Sequence, residues 1–489
     1  MSEIVLDDAV TVGSLIGDEE YVQGSTFEVH DPGRLDELVG TVATASASDV
    51  DRTVGVASRA QVNWAKTDVE HRAALVLRAA KEIEENSTGI TVLMTRENGS
   101  LLSTSQGELL LAVAALRNAA EFGVELLAEH QSYTDPGSWV RVERRPYGVV
   151  ACIVPWNAPV VLTMQKVGPA LVAGNAVIVK PSPFAPLTVS VLLRHLASFF
   201  PPGVINVVHG DGDVGAALIS HPSVRKISFT GGPETAKKIM RSGAESLTRV
   251  HFELGGNDPA IVLDDADLDF AADAIAHQAF RRAGQVCFAI KRVYIPTALA
   301  GEFHERMRAR VDQITVGHGL NANSSMGPVN NKGQFERIRG LQERLVISDA
   351  NMHITGSQLD PAGWGNGYYL QPAIIFNADP ASEIVTDEQF GPILPIVSYD
   401  SEEDVIAMAN STEYGLGSSI WSSDPDRATA LADRVQAGMT FINAHGLSSL
   451  GGKHIPFGGI KHSGIGWENS PHGVNEYLEF HSTNLHFQR

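Results

Sequence analysis

The sequence predicts an α/β protein built from two units of mostly parallel β-sheet. Two observations carry that prediction. From residue 149 onward, short apolar runs of strand composition alternate with helical segments, and a second such cycle starts at Pro259. Alternation of this kind needs crossover helices, which cover both faces of a parallel sheet. The chain has 489 residues, too many for one ordinary hydrophobic core, so two or three domains are expected.

Residues 50–65, 70–86 and 107–128 carry apolar side chains at helical spacing. Roughly the first 125 residues therefore read as mostly helical. Residues 139–147 alternate and then turn at Tyr147-Gly148, the pattern of a β-hairpin arm. Strands are expected at 149–154, 176–179, 205–208, 226–229 and 249–252, with helices near 162–172, 187–198, 214–220 and 235–242 between them. In the second cycle, 260–263 reads as a strand, 267–282 as a helix, and 291–295 and 384–397 as further β-structure. The tail after Tyr477 alternates irregularly and reads as an edge strand. Sheets of this class bind ligands at the carboxyl ends of their strands.

Bulk properties remove several function classes. Hydrophobic residues make up 43% of the chain and charged residues 19%, the balance of a globular protein. A formal net charge of −20 speaks against nucleic acid, whose phosphates need clustered Lys and Arg. The start, MSEIVLDDAV, lacks the basic and apolar regions of a signal peptide. No apolar run approaches the ~20 residues of a membrane span. The only cysteines, Cys152 and Cys287, lie far apart in sequence, so a reducing, cytoplasmic setting without disulfides is expected. No metal is expected either. The 17 histidines show no ligand spacing, and His445, His454 and His462 read as surface or loop residues. The acidic run 264–269 resembles the start of a calcium loop, but Phe270 and Ala276 stand where glycine and glutamate are required. Those acids read instead as charge-matching the next helix N-terminus.

Three residues carry the chemistry. Cys287 follows a helix and a glycine, whereas Cys152 sits in the apolar run VVACIV and reads as a small core hydrophobe. Glu253 ends a strand that feeds the turn Gly255-Gly256. A carboxylate between apolar neighbours is costly unless paired or working, and desolvation there raises its pKa toward that of a useful general base. Asn157 sits in Pro155-Trp156-Asn157-Ala158-Pro159 and reads either as turn chemistry or as an amide aimed at a developing oxyanion.

Taken together, these segments resemble the aldehyde dehydrogenase superfamily. Phe252-Glu253-Leu254-Gly255-Gly256 is similar to its glutamate signature, and Phe280-x-x-x-Gly284-x-x-Cys287 to its cysteine signature. Further matches follow in order: Pro155-Trp156-Asn157, Lys180-Pro181-Ser182, Pro201-Pro202-Gly203, Phe229-Thr230-Gly231, Glu388-Gln389-Phe390-Gly391-Pro392 and Pro456-Phe457-Gly458-Gly459. The resemblance implies a covalent mechanism. The Cys287 thiolate attacks the aldehyde carbon, and the Asn157 amide with the Cys287 N–H holds the oxyanion. After hydride loss to a nicotinamide dinucleotide, Glu253 activates the water that hydrolyses the thioester. Lys166 and Glu468 match a proton path behind that base, although Trp467 stands where relatives usually have arginine.

The resemblance also implies the cofactor site. Val154, Pro155, Trp156, Lys180, Ser182, Pro183, Gly212, Phe229, Gly231, Gly232, Leu254, Glu388 and Phe390 are its candidate lining. Gly210-x-Gly212-x-x-Gly215 alone would suggest a standard dinucleotide loop; by resemblance it lies at the adenine end, with the pyrophosphate near 229–232. Gly232 stands where relatives often have serine. Pro183 stands where many NAD-preferring relatives have a glutamate that grips the adenosine ribose and repels a 2′-phosphate. NAD use with tolerance of NADP is therefore expected.

The substrate-lining candidates are Ala158, Leu162, Gln165, Val286, Phe288 and Phe457, plus the loop 444–453. Ala158 and Leu162 are small or flexible where some relatives carry aromatic rings, which suggests room for a bulky apolar or aromatic aldehyde. Arg281 matches the arginine that semialdehyde-oxidising relatives use for a distal carboxylate, or it is a structural helix-end residue. The implied architecture is a dinucleotide-binding domain (1–126 and 146–255), a catalytic domain (256–470) and an oligomerisation arm (127–145 and 471–489). The arm is expected to pair with a neighbour's C-terminal tail in a homodimer or homotetramer. Two rival readings are a non-catalytic family member and an enzyme that passes its acyl group to coenzyme A. The intact Cys287, Glu253 and Asn157 oppose the first; Glu253, which coenzyme A-acylating relatives usually lack, opposes the second.

Overall fold

The computed structural model describes residues 9–128, 131–347, 351–446 and 452–487. Its first large sheet has a parallel centre in the order Arg249–Glu253, Val224–Thr230, Val149–Ile153, Ala176–Lys180 and Ile205–Val207. Val149–Ile153 and Ala176–Lys180 are almost wholly buried, because helices cover both faces and leave no polar side. Strand alternation divides the residues between two cores. Ala151, Ile178 and Ile227 pack with helices Ala47–Trp64 and Gly212–Ser220. Val150, Cys152, Val177 and Val179 pack with helix Pro159–Ala173 and its neighbours.

The second large sheet is parallel through Ala373–Ile375, Ile393–Tyr399, Ile290–Pro296, Asp258–Val262, Gly417–Trp421 and Met439–Ile442. The chain leaves the first sheet at Glu253 and enters the second at Asp258, so the two glycines between them sit where the sheets meet. A small third sheet joins Gln131–Asp135, Ser138–Pro146 and Leu478–His486.

The structure corrects the sequence reading in several places. Before the first helix the chain forms the strands Val10–Val12, Ser14–Ile16, Glu19–Tyr21, Thr26–Asp31 and Arg34–Ala43 rather than helix. The alternating burial of Arg34–Ala43, with charged residues facing out, is a half-buried strand whose apolar signal is weak. The hairpin turns at Pro136-Gly137, not at Tyr147-Gly148; the Asp135 carboxylate accepts the N–H groups of Gly137 (2.7 Å) and Ser138 (2.6 Å). Within 384–397, Glu383–Thr386 is a helical turn and the strand starts only at Ile393. The tail Leu478–His486 pairs along Ser138–Pro146 of its own chain, not with a neighbour's hairpin. Of the acidic run, Asp267 caps helix Leu268–Phe280, whereas Asp264 and Asp265 bind Arg427 and Ser422.

Candidate active site

Cys287 is half-buried between the 3-10 turn Arg281–Gly284 and strand Ile290–Pro296. Arg282, Ala283 and Gly284 all take left-handed backbone, with φ of 52°, 53° and 73°. Outside glycine that conformation costs roughly 1–2 kcal/mol per residue and persists only where the surroundings over-determine it. The Arg282 guanidinium provides the constraint. It donates to the Asn157 carbonyl (2.7 Å), to Ser100 Oγ (2.8 Å) and to the Glu108 carboxylate. Glu108 also accepts the Val160 and Val161 N–H groups (2.7 and 3.2 Å) at the start of helix Pro159–Ala173. At Gly284 a Cβ would lie 2.1 Å from the Gly391 carbonyl oxygen, so only glycine fits. Arg282→Leu leaves Glu108 buried without its cation, which costs about 3–5 kcal/mol. Urea denaturation is expected to show that loss as a lower midpoint; an unchanged midpoint contradicts the constraint.

This clamp brings Asn157 to the cysteine loop. Its side-chain amide donates to the Gln285 carbonyl at 2.9 Å, two residues before Cys287, and an amide nitrogen keeps a second N–H for another acceptor. Lys291 Nζ donates to the carbonyls of Val286 (2.6 Å) and Cys287 (3.2 Å). Burial pushes the Cys287 thiol up to about 12, Lys291 opposes the shift, and the Glu253, Glu388 and Asp258 carboxylates add to it. The resting sulfur is therefore a thiol.

Glu253 is buried, and neither carboxylate oxygen has a hydrogen-bond partner among the described residues. Burial holds its pKa well above the ordinary range; Glu468 adds to the shift and Lys166 opposes it. Lys166 and Glu468 form a buried pair at 2.5 Å, so Glu468 is not a surface residue. Glu253 and Cys287 approach the same stretch of chain, Phe457-Gly458. A Cβ on Gly458 would lie 3.2 Å from Glu253 Oε1, and the neighbouring Phe457 belongs to the apolar cluster on which Cys287 packs.

The glycine pair after Glu253 has a packing cause. A Cβ on Gly255 would lie 2.2 Å from Glu388 Oε2, and one on Gly256 would lie 2.6 Å from the Cys287 carbonyl oxygen. Glu388 accepts the Gly256 N–H at 3.1 Å and lies 3.5 Å from Lys291 Nζ. Phe390, left-handed at φ 47°, stands edge-on to Trp156 at 5.5 Å. Lys180 is buried without an ion-pair or hydrogen-bond partner for its ammonium among the described residues. Burial depresses its pKa to about 8 against the pull of Asp211. Gly212 opens the helix that carries Gly215, whose Cβ position is 3.5 Å from Lys180 Cε. Gly232 caps helix Pro233–Ser246 and has open space where a Cβ would project. Gly231 is glycine because the Phe229 ring lies 2.5 Å from its Cβ position. Val154 and Leu254 are buried, their N–H groups bound to the Lys180 and Ser463 carbonyls. Ser182 Oγ accepts the Phe184 N–H within its own turn; Pro155 and Pro183 are half-buried.

Among the substrate candidates, Val286 and Leu162 are buried, Ala158 packs against the same core as Leu162, and Gln165 reaches Asn469 at 3.3 Å. Phe288 stands edge-on to Phe457 at 5.4 Å. Of the loop 444–453, residues 447–451 lie outside the described residues. The Arg281 backbone N–H donates to the His277 carbonyl at the end of helix Leu268–Phe280, while its guanidinium makes no hydrogen bond or ion pair among the described residues and its Nε is buried. Arg281 thus caps the helix end through its backbone, and its side chain takes no part in that cap. The sequence reading missed His445 as a buried residue: its Nε2 lies 2.7 Å from the Phe288 carbonyl oxygen and 3.6 Å from Asp258. It also missed Lys291, Arg282 and Glu108. A lysine inside the apolar run Ala289-Ile290-Lys291-Arg292-Val293 was the available signal, since a buried charge needs a partner.

Among the described residues, no group of three or more His, Cys, Asp or Glu could hold a metal ion. No helix of theirs is long and apolar enough to cross a membrane.

Known proteins match this arrangement. An NAD-dependent aldehyde dehydrogenase from Sinorhizobium meliloti is 30% identical, with 98% of this chain and 95% of that chain covered at a TM-score of 0.93. An aldehyde dehydrogenase from Brucella melitensis biovar abortus 2308 is 32% identical, with coverages of 99% and 100% and a TM-score of 0.92. Betaine aldehyde dehydrogenase from Staphylococcus aureus, solved in complex with NAD+, is 30% identical, with coverages of 96% and 94% and a TM-score of 0.91. The sequence model of the aldehyde dehydrogenase family matches residues 21–483, and the chain belongs to that family.

Proposed function

We propose that this protein oxidises an aldehyde to a carboxylic acid through an acyl adduct on Cys287. One observation supports the reading: the Asn157 amide binds the cysteine loop at Gln285, while Glu253 lies against Gly458 and Cys287 against the cluster of the neighbouring Phe457. The Cys287 thiol releases its proton to water, and attack by the thiolate makes the aldehyde carbon tetrahedral. The free Asn157 N–H and the Cys287 N–H are the donors available to the oxyanion; losing one such donor costs ~3 kcal/mol. Glu253 then takes a proton from the water that attacks the thioester. Its burial holds the carboxyl's pKa well above the ordinary range, as a general base requires. Lys166 and Glu468 supply the pair of charges behind it.

A nicotinamide dinucleotide, when bound, supplies the hydride acceptor that turns the tetrahedral adduct into a thioester. The residues fit such a group. The buried Lys180 suits the ribose hydroxyls, the open Gly232 at a helix N-terminus suits the pyrophosphate, and Glu388 suits the second ribose. With proline at 183 and no carboxylate there, NAD is the working cofactor and NADP is tolerated. Comparing kcat/KM for the two tests this: a ratio within about tenfold, or ~1.4 kcal/mol, is expected, and a thousandfold preference for NAD contradicts it. The arm leaves Tyr133, Phe480, Leu485 and Phe487 exposed, an apolar surface suited to another copy in a homodimer or homotetramer.

The small Ala158 and the flexible Leu162, neither of them aromatic, favour a bulky apolar or aromatic aldehyde. The unpartnered Arg281 guanidinium favours a second reading, an aldehyde with a distal carboxylate. Arg281→Ala separates them. Under the second reading, KM for carboxylated aldehydes rises about tenfold or more, as for loss of a charged hydrogen bond of ~1.5–3 kcal/mol; an unchanged KM removes that reading. A panel of aliphatic, aromatic and carboxylated aldehydes, assayed with both cofactors, tests the function as a whole. Absence of NAD(P)H formation with every member contradicts it.

A further inference from the structure

His251 stands two residues before Glu253 on strand Arg249–Glu253, so the two side chains share a face. Across the sheet, His251 pairs with Ser228, and Ser228 with Cys152. His251 is fully buried, and its Nε2 lies 3.5 Å from Glu253 Oε1. Neither atom has another partner among the described residues, so two orphaned polar atoms face each other. Such a buried pair is costly unless the atoms serve one another.

The other side of the imidazole favours one tautomer. Tyr477 donates its hydroxyl to Ser228 Oγ at 3.1 Å, and Ser228 Oγ lies 3.0 Å from His251 Nδ1. With its oxygen accepting from Tyr477, Ser228 has its own O–H to donate to Nδ1. The single ring proton of the neutral imidazole is then on Nε2, toward Glu253. We propose that His251 is a positioning residue for Glu253, its Nε2–H addressed to the carboxylate by the chain Tyr477–Ser228–His251. The proposal rests on the reading of Glu253 as the base.

The groups around His251 keep it neutral. Lys166 on helix Pro159–Ala173 and Lys226 on the neighbouring strand both oppose a second proton, as does burial. Glu468 pairs with Lys166, Glu476 pairs with Lys226 at 2.7 Å, and Cys152 is an uncharged thiol. A neutral N–H donor stabilises ionised Glu253 more than protonated Glu253. Removing it raises the Glu253 pKa, so the carboxylate is lost at higher pH. The low-pH limb of thioester hydrolysis must then move toward alkaline pH.

The test follows thioester decay after the first turnover, against pH, with aldehyde and NAD. For His251→Phe, the NADH burst is expected to keep its amplitude and rate while the limb moves up by about one pH unit. Ser228→Ala and Tyr477→Phe, which free the tautomer without touching Glu253, shift it less and in the same direction. His251→Gln, which retains an N–H donor, returns it toward the parent. A folded His251→Phe protein with an unmoved limb overturns the proposal, as does one in which burst and decay fall together. Should His251→Phe not fold, an unmoved limb in both Ser228→Ala and Tyr477→Phe overturns it. Glu253→Gln separates the two levels. If that variant hydrolyses the thioester at the parent rate, the base assignment itself fails. If it blocks hydrolysis while the His251 and Ser228 variants leave the limb in place, only the role of His251 fails.

Discussion

Glu253→Gln is expected to release one rapid equivalent of NADH per active site and then to turn over ~10²–10³-fold more slowly, the usual worth of a positioned general base. The amide is nearly isosteric, so packing against Gly458 is preserved and the loss is chemical. It cannot take a proton from water, and the thioester on Cys287 therefore persists. Pre-steady-state absorbance at the NADH band checks the outcome. A burst that shrinks in step with the steady state contradicts it, because Glu253 would then act before or during oxidation rather than after it. In the parent protein the burial of Glu253 adds a pH dependence. Its raised pKa means that hydrolysis is lost as pH falls through a value well above the ordinary carboxylate range.

Cys287→Ala is expected to abolish oxidation, with kcat lower by at least ~10⁴-fold, since the chain's only other thiol is Cys152. Cys152 cannot replace it: burial holds its thiol up at about 12 within the sheet core, on the face toward helix Pro159–Ala173. The Cys287 thiol is also pushed up to about 12. Alkylation of the free enzyme by iodoacetamide is therefore slow at neutral pH and rises about tenfold per pH unit, because the thiolate is the reacting form. Peptide mapping is expected to find the label on Cys287 alone. Activity retained by the alanine variant, or label on Cys152, contradicts the assignment.

Much of this site was legible because its parts are short, local and chemically odd. Glu253 in Phe-Glu-Leu-Gly-Gly is a carboxylate at a strand end before two glycines, and both glycines prove to be places where Glu388 and the Cys287 loop press on the backbone. The parallel cores were legible for a related reason. Strands buried on both faces, such as Val149–Ile153, read as continuous apolar runs. Strand Arg34–Ala43, exposed along one face, did not, and its alternation was lost among charged residues. The clamp on the cysteine loop could not be read at all. Arg282 and Glu108 lie 174 positions apart, and nothing local in either segment marks its partner. His251 was invisible for the same reason: its meaning depends on Ser228, a strand away, and on Tyr477 near the other end of the chain.

The most direct test of the central claim is to trap the covalent intermediate. The Glu253→Gln protein is mixed with NAD and an aldehyde, quenched in acid within the burst, digested and weighed by mass spectrometry. An acyl group of the aldehyde's mass, less one hydrogen, is expected on the peptide that contains Cys287. A burst of NADH with no acyl group on that peptide, or with the acyl group on another residue, would contradict the account.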